Sequence, residues 1–256
     1  IELTDPGPTT DTGALDAYDE NNGRNIALIT FDALLNTPVS PNTTYTNEGL
    51  LTHYAGVEGG ANHVPTPRTD SADVTTLLPS AQKTITATGI NDSTNNNLQA
   101  VIGESINYQV TLTIPEGTIT DTVVIDTLDN GLAFVDCLGI TSSVAVTTDL
   151  PGGFAAACND PANPTVSADK RTITFDLANL TNSDVDNSAT ETITLTYQVV
   201  VENRAINQQN TTLNNNVVLQ SQGASLTSAS APLVTVLEPV LQTVKTVQIN
   251  GAAVPP

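Results

Sequence analysis

Ile106, Tyr108, Val110, Leu112 and Ile114 alternate with Asn107, Gln109, Thr111 and Thr113. A two-residue period sends successive side chains to opposite faces, so this stretch reads as a β-strand with one buried face and one wet face. Pro115-Glu116-Gly117 turns the chain, Val123 to Leu128 reads as a second strand, Asp129-Asn130-Gly131 is a strong turn signal, and Leu132 to Val135 begins a third strand. Short strands joined by tight turns predict antiparallel sheets packed as a β-sandwich, and they exclude a helical bundle or a nucleotide-binding α/β fold.

Composition narrows how such a sandwich is filled. Aromatic residues make up 4% of the 256 residues and Trp and Met are absent, so Val, Ile, Leu and Ala must build the core. Seven basic residues against 27 acidic ones give a formal net charge of -20, which makes nucleic acid and anionic membranes poor partners and cations the natural counterpart. The bland reading of that charge is a set of solvated acidic loops. No apolar run is long enough to cross a bilayer and no signal peptide is recognisable; the chain begins at Ile1, which reads as a processed protein or a segment of a longer one. Cys137 and Cys158 flank a Gly/Pro-containing stretch and read as a disulfide formed in an oxidising compartment, with two free buried thiols as the alternative. No His or third Cys stands close enough in sequence to suggest a metal site there.

The order of segments reads as an internal repeat, with chance similarity between β-rich Thr/Asn stretches as the competing explanation. Ile26 to Asn36 and then Asn42-Thr-Thr to Leu51 are paralleled by Ile193 to Asn203 and then Asn210-Thr-Thr to Leu219, and Val74 to Lys83-Thr-Ile is paralleled by Leu233 to Lys245-Thr-Val. Strands are predicted at Ile26–Asn36, Thr43–Tyr54, Val74–Leu78 and Lys83–Ala87, with an irregular stretch from Gly56 to Ser71. The predicted partition is residues 1–79 as the later part of one sandwich, 80–238 as a complete one, and 239–256 as the first strand of another. Donation of the strand-like tail Gln242 to Pro256 to a neighbouring first domain competes with a plain multidomain fragment as the explanation of these incomplete ends.

Gly103-Glu104 with Tyr108, Pro115-x-Gly117, Val124-Ile-Asp-Thr-Leu128 and Gly131-Leu132-x-Phe134-Val135 together resemble the β-sandwich repeats of bacterial and archaeal surface proteins, most of all those related to the isopeptide-forming domains of fimbrial subunits. Asp129-Asn130 departs from the proline-containing turn usual there. The resemblance implies an all-β chain of tandem immunoglobulin-like β-sandwich domains with a structural role outside the cell, and no catalytic turnover of external substrates. It also implies an internal Lys-to-Asn bond. Of three lysines, Lys83 and Lys245 hold the same place in the first strand of a repeat, and Asn215 shares one strand face with Leu213, Val217 and Leu219. Lys83 would be the nucleophile, Asn215 the electrophile, and Asp126 the carboxylic acid that shuttles protons, with Asp176 as second choice. The reaction requires burial, which favours the neutral amine and the neutral acid alike. Otherwise Lys83 is a solvated edge lysine and Asn215 a sheet-bonded amide.

Other chemistry is sparser. Asp184, Asp186, Ser188 and Glu191 offer oxygen ligands in one loop and form a candidate calcium site, calcium being the one cofactor that the sequence suggests; Asp16, Asp19 and Glu20 sit in the corresponding earlier loop. The sequons at Asn42, Asn91, Asn179 and Asn210 are candidate glycosylation sites. His53 and His63 read as surface residues. No nucleophile elbow, phosphate loop, dinucleotide fingerprint or zinc-protease motif is present. The expected function is a building block of an extracellular filament, fimbria, stalk or surface layer that meets copies of itself or neighbouring repeats head to tail. An adhesin that holds surface glycans or host proteins is the alternative, weakened by the scarcity of aromatics for sugar stacking.

Overall fold

The computed structural model describes residues 29–35, 39–55, 59–90, 98–185, 189–238, 245, 248–249 and 252–253. The chain divides into two compact units, one made of Ile1–Thr37 with Asn42–Thr76 and the other of Pro38–Pro41 with Leu77–Pro256.

The first unit contains a two-stranded antiparallel ribbon. Strand β1 (Thr44–Leu51) pairs with β2 (Arg68–Thr75) in unbroken register from Thr44↔Thr75 to Leu51↔Arg68. The long connection is shaped by Asn62, whose side chain accepts from the backbone N–H of Tyr54 and Val64 and donates to the carbonyls of Thr52 and Val64. The strand expected at Ile26–Asn36 is not found in its described part. Residues 29–35 belong to no strand or helix, and Phe31 and Leu34 are exposed. Arg68–Ser71, expected to be irregular, belongs to β2, because the alternation that begins in β1 needs a partner of equal length.

The second unit is a β-sandwich. Its strands are β3 (Ser80–Thr88), β4 (Gln99–Val101), β5 (Ser105–Thr113), β6 (Gly117–Leu128), β7 (Leu132–Ser142), β8 (Val146–Thr148), β9 (Thr165–Val166), β10 (Thr172–Asn182), β11 (Thr192–Val201), β12 (Thr212–Leu213), β13 (Asn215–Ser221), β14 (Ala224–Ser230) and β15 (Val234–Leu237). A short helix, α1 (Gly153–Asn159), follows β8, and two further short strands, β16 (Gln248–Ile249) and β17 (Ala252–Ala253), pair with each other near the end. One sheet has the order β3-β5-β11-β7, and the facing sheet runs β14-β13-β6-β10-β8 with β9 beside β10. A small third sheet, β12-β15-β4, contains the one departure from antiparallel pairing among the described strands, since β15 runs parallel to β4.

Burial follows the two-residue period. Ile106, Tyr108, Val110 and Leu112 of β5 and Ile193, Leu195, Tyr197, Val199 and Val201 of β11 face Val124, Leu128, Ile173, Phe175, Val217 and Leu219 of the other sheet. In β6 the inward set shifts from Ile119 to Thr122, Val124 and Asp126, because Asp121 adopts a left-handed conformation. Opposite it, Ala178 of β10 does the same, and the pairing register slips around it. Such facing bulges bend a strand pair and re-aim its side chains.

Helix α1 was not anticipated from sequence. Gly152 and Gly153 take left-handed conformations that start it, Phe154 to Ala157 propagate it, and Ala157 and Cys158 are buried. Cys158 forms a disulfide with Cys137 of β7, fastening the helix to that strand. The turn before β7 depends on Gly131, whose φ of 129° and packing against the side chain of Asn207 leave no room for a Cβ. Asn207 in turn donates to the carbonyls of Gly131 and Glu202. Gly131→Ala should therefore destabilise the sandwich by roughly 2–3 kcal/mol, read as a lower urea midpoint at unchanged slope.

Candidate cross-link site

Among the buried polar side chains described, three from different strands meet inside the apolar core. Lys83 is the inward residue of β3 between Ala81 and Ile85, Asp126 is the inward residue of β6 between Val124 and Leu128, and Asn215 opens β13 one step before Val217. Lys83 is 3% exposed, and Asp126 and Asn215 are 0% exposed. The pairing Val217↔Asp126 places Asn215 and Asp126 on adjacent strands of one sheet, while Lys83 arrives from the first strand of the facing sheet.

These three side chains meet. Lys83 Nζ donates to the Asp126 carboxylate, and it lies 2.5 Å from the amide oxygen of Asn215. Tyr197 of β11 completes the group: its hydroxyl donates to Asp126 Oδ2 at 2.6 Å and accepts from Asn215 Nδ2 at 2.9 Å. Thus every polar atom of the asparagine amide is oriented, its oxygen toward the lysine and its nitrogen toward a hydroxyl that is itself joined to the acid. Tyr108 and Tyr197 stack with ring centroids 5.9 Å apart, and Lys83 Nζ lies 5.5 Å from each centroid.

Burial sets the protonation of the pair. Removal from water pushes the Lys83 amine down to about 8, an effect only partly opposed by the charge and hydrogen bond of Asp126. The same desolvation pushes the Asp126 carboxyl up, against Lys83, Tyr197 and Asn215, which favour its ionised form. Asp126 Oδ1 and the Tyr108 hydroxyl have no hydrogen-bond partner, a further cost that falls most heavily on a charged carboxylate. A neutral amine beside a neutral acid is the state toward which the pocket drives both groups.

Asp176, the second choice for the acid, does not belong to this group. It is exposed, and its carboxylate accepts from the backbone N–H of Ala178. The two-residue period of β10 sends that side chain outward, since Ile173, Phe175 and Leu177 take the inward positions. Tyr197 was not singled out from sequence. The signal available was its place among the inward residues of β11, which reads equally well as ordinary core.

The remaining candidates are scattered. Asp184 is half-buried and its backbone N–H is held by Asn182, the Glu191 carbonyl accepts from Ile114 N–H, and Asp186 and Ser188 lie outside the described residues. Among the described residues no three His, Cys, Asp or Glu side chains stand together as a metal-holding group. Asn42 and Asn210 are exposed in left-handed turns, each just ahead of a strand. Asn179 is committed on both sides of its amide, accepting from Asp121 N–H and donating to Asp149, so a glycan there would break a structural clasp. Asn91, Asp16, Asp19 and Glu20 lie outside the described residues. His53 and His63 are exposed, and His63 lies 6.2 Å from the ring of Tyr54.

No family model and no curated protein matches the chain. Among solved structures it is similar to the major pilin BcpA of Bacillus cereus, at 13% identity and a TM-score of 0.38 over 74% of this chain and 62% of that one. It is similar to the major pilin SpaD of Corynebacterium diphtheriae at 12% identity and a TM-score of 0.36, over 60% of this chain and 34% of that one. A third likeness is to the pilus backbone RrgB of Streptococcus pneumoniae, at 16% identity and a TM-score of 0.34 over 58% of this chain and 34% of that one. The chain thus spans less than two thirds of each of these proteins, and likeness at this level adds nothing to the strand order and register described above.

The free lysine has a stability signature. In Asn215→Ala the amine persists and keeps the causes of its depressed pKa, burial and Asp126. Between about pH 8 and the unfolded value of 10.5 the unfolded chain holds a proton on Lys83 that the folded chain has released, so stability rises with pH. From pH 8 to about 9.5, below the range where the buried tyrosines enter, urea unfolding of this variant should show a gain of up to about 2 kcal/mol that Lys83→Met/Asn215→Ala lacks.

Proposed function

We propose that Lys83 and Asn215 join in an isopeptide bond that locks the sandwich, and that the chain is a structural building block of an extracellular filament, stalk or surface layer. The observation that carries this reading is the convergence of a buried lysine, a buried acid and a buried asparagine amide from three strands. An ion pair kept only for stability is a poor use of such a place, because desolvating two charges costs several kcal/mol and apolar side chains of similar volume serve as well or better. Amide formation removes both charges. Neutral Lys83 Nζ attacks Asn215 Cγ; the Nζ–Cγ bond forms, the Cγ–Nδ2 bond breaks, and protonated Asp126 gives its proton to the departing nitrogen, which leaves as ammonia, while taking up one proton from the attacking amine and so ending protonated again. Tyr197, hydrogen-bonded to both Asp126 and Asn215 Nδ2, holds the leaving nitrogen in line with the acid.

Mechanical sense follows from the topology. The bond ties β3, the first strand of the sandwich, to β13 near its end and across the two sheets. Force applied along the chain would then pass through a covalent shortcut, leaving most of the strands between unloaded. The Cys137–Cys158 disulfide fits an oxidising setting outside the cell. Head-to-tail pairing between repeats is the assembly mode that this reading carries, with the exposed ribbon of the first unit as the receiving element.

Intact mass decides the cross-link. The full chain should weigh about 17 Da less than its sequence after reduction, and Lys83→Met, Asn215→Ala and Asp126→Ala should each regain that mass. Tyr197→Phe should form the bond at least roughly tenfold more slowly. A reduced wild-type mass equal to the sequence mass would sink the proposal.

A further inference from the structure

The ribbon of the first unit and the closing strands of the second are built to one plan. Thr44↔Thr75 and Tyr45↔Val74 in β1 and β2 correspond to Thr212↔Thr235 and Leu213↔Val234 in β12 and β15. Glu48↔Ser71 corresponds to Asn216↔Ser230 where β13 meets β14. Asn42 and Asn210, both left-handed with φ of 53° and 69°, precede these strands, and the bond from Thr76 N–H to the Thr43 carbonyl recurs as that from Val236 N–H to the Thr211 carbonyl. Asn47 pairs with Ala72, as Asn215 accepts from the N–H of Ala231. Turn and clasp match, and the pairing agrees on either side of one extra residue in the second unit, where Pro232 and Leu233 stand against the single Asp73 and the ladder passes from one sheet to another.

The difference is what covers them. Leu51 is 51% exposed and Val74 56% exposed, whereas their counterparts Leu219 and Val234 are both 0% exposed. On the same face of β1 as Leu51 and Tyr45 lies Asn47, the counterpart of Asn215.

Building on the Lys83–Asn215 reading, we infer that residues 42–76 are the closing hairpin of a second sandwich of the same kind, and that Asn47 is its isopeptide acceptor. The occupant of the bare face is a set of strands built like β3 to β11, bringing a lysine at the position of Lys83 and an acid at that of Asp126. That lysine's amine displaces Nδ2 from Asn47 Cγ and ammonia leaves, the acid carrying the proton across. Gly49, Asp70 and Arg68 stand where the second unit has Val217, Ala229 and Thr227, so the second core is shallower beyond Asn47.

The test places the hairpin where the required strands already exist. In the full chain, residues 211–236 are replaced by a copy of residues 43–76, once as they stand and once with Gly49→Val and Asp70→Ala in the copy to restore the core. The wild-type chain is weighed in parallel. If the wild type and at least one graft are each about 17 Da light after reduction, and the graft regains that mass on Asn47→Ala in the copy, the inference holds. If the wild type is light but both grafts keep their ammonia or fail to fold, the inference is overturned while the Lys83–Asn215 bond stands. If the wild type itself is at full mass, both readings fall together.

Discussion

Lys83 is buried in the sandwich core with one acid beside it, and most of what is distinctive in this domain follows from that burial. A protonated amine in an apolar core is expensive, and a carboxylate more so when one of its oxygens lacks a partner, as Asp126 Oδ1 does. The surroundings do not relieve the cost by letting solvent in. They shape it, with two tyrosine rings beside the amine and a hydroxyl joining the acid to the amide. Both ionisable groups are driven toward their neutral forms, the forms in which an amine can attack and an acid can deliver a proton.

Topology gives that chemistry its use. The lysine lies on the first strand of one sheet and the asparagine on a late strand of the other, so their meeting requires that nearly the whole sandwich already be folded. On the proposed reading, the bond would form as a consequence of correct folding rather than as a route to it. The facing bulges at Asp121 and Ala178 matter for the same reason: without the shift they impose, the inward set of β6 could not run from Ile119 to Asp126. The disulfide acts elsewhere, holding α1 against β7, and leaves the link between the sheets to the buried trio.

Much of this was legible beforehand. The alternation of β5 and β11, the turn at Gly131, the pairing of the cysteines and the inward face of Asn215 are local properties, readable from a two-residue period and turn chemistry. Lys83, Asp126 and Asn215 could be named because the resemblance to isopeptide-forming domains implied a Lys–Asn pair with an acid, and the two-residue period placed Asn215 inward. Asp176 failed as the second acid because the alternation of Ile173, Phe175 and Leu177 puts its side chain on the outer face of β10. Tyr197 went unnoticed because an inward tyrosine in a core strand looks the same whether or not its hydroxyl is engaged.

The sequence by itself determined the strand faces, because alternation is a property of neighbouring residues, and it raised the expectation of a repeat, because the shared Asn-Thr-Thr and Lys-Thr steps recur in order. Only the tertiary structure decided which carboxylate faces the lysine, that a tyrosine bridges acid and amide, and that the first unit's ribbon follows the pairing of the closing strands apart from one extra residue. Those are statements about residues far apart in the chain and on different sheets. Their distances are set by sheet order, bulges and packing, and no local period contains them.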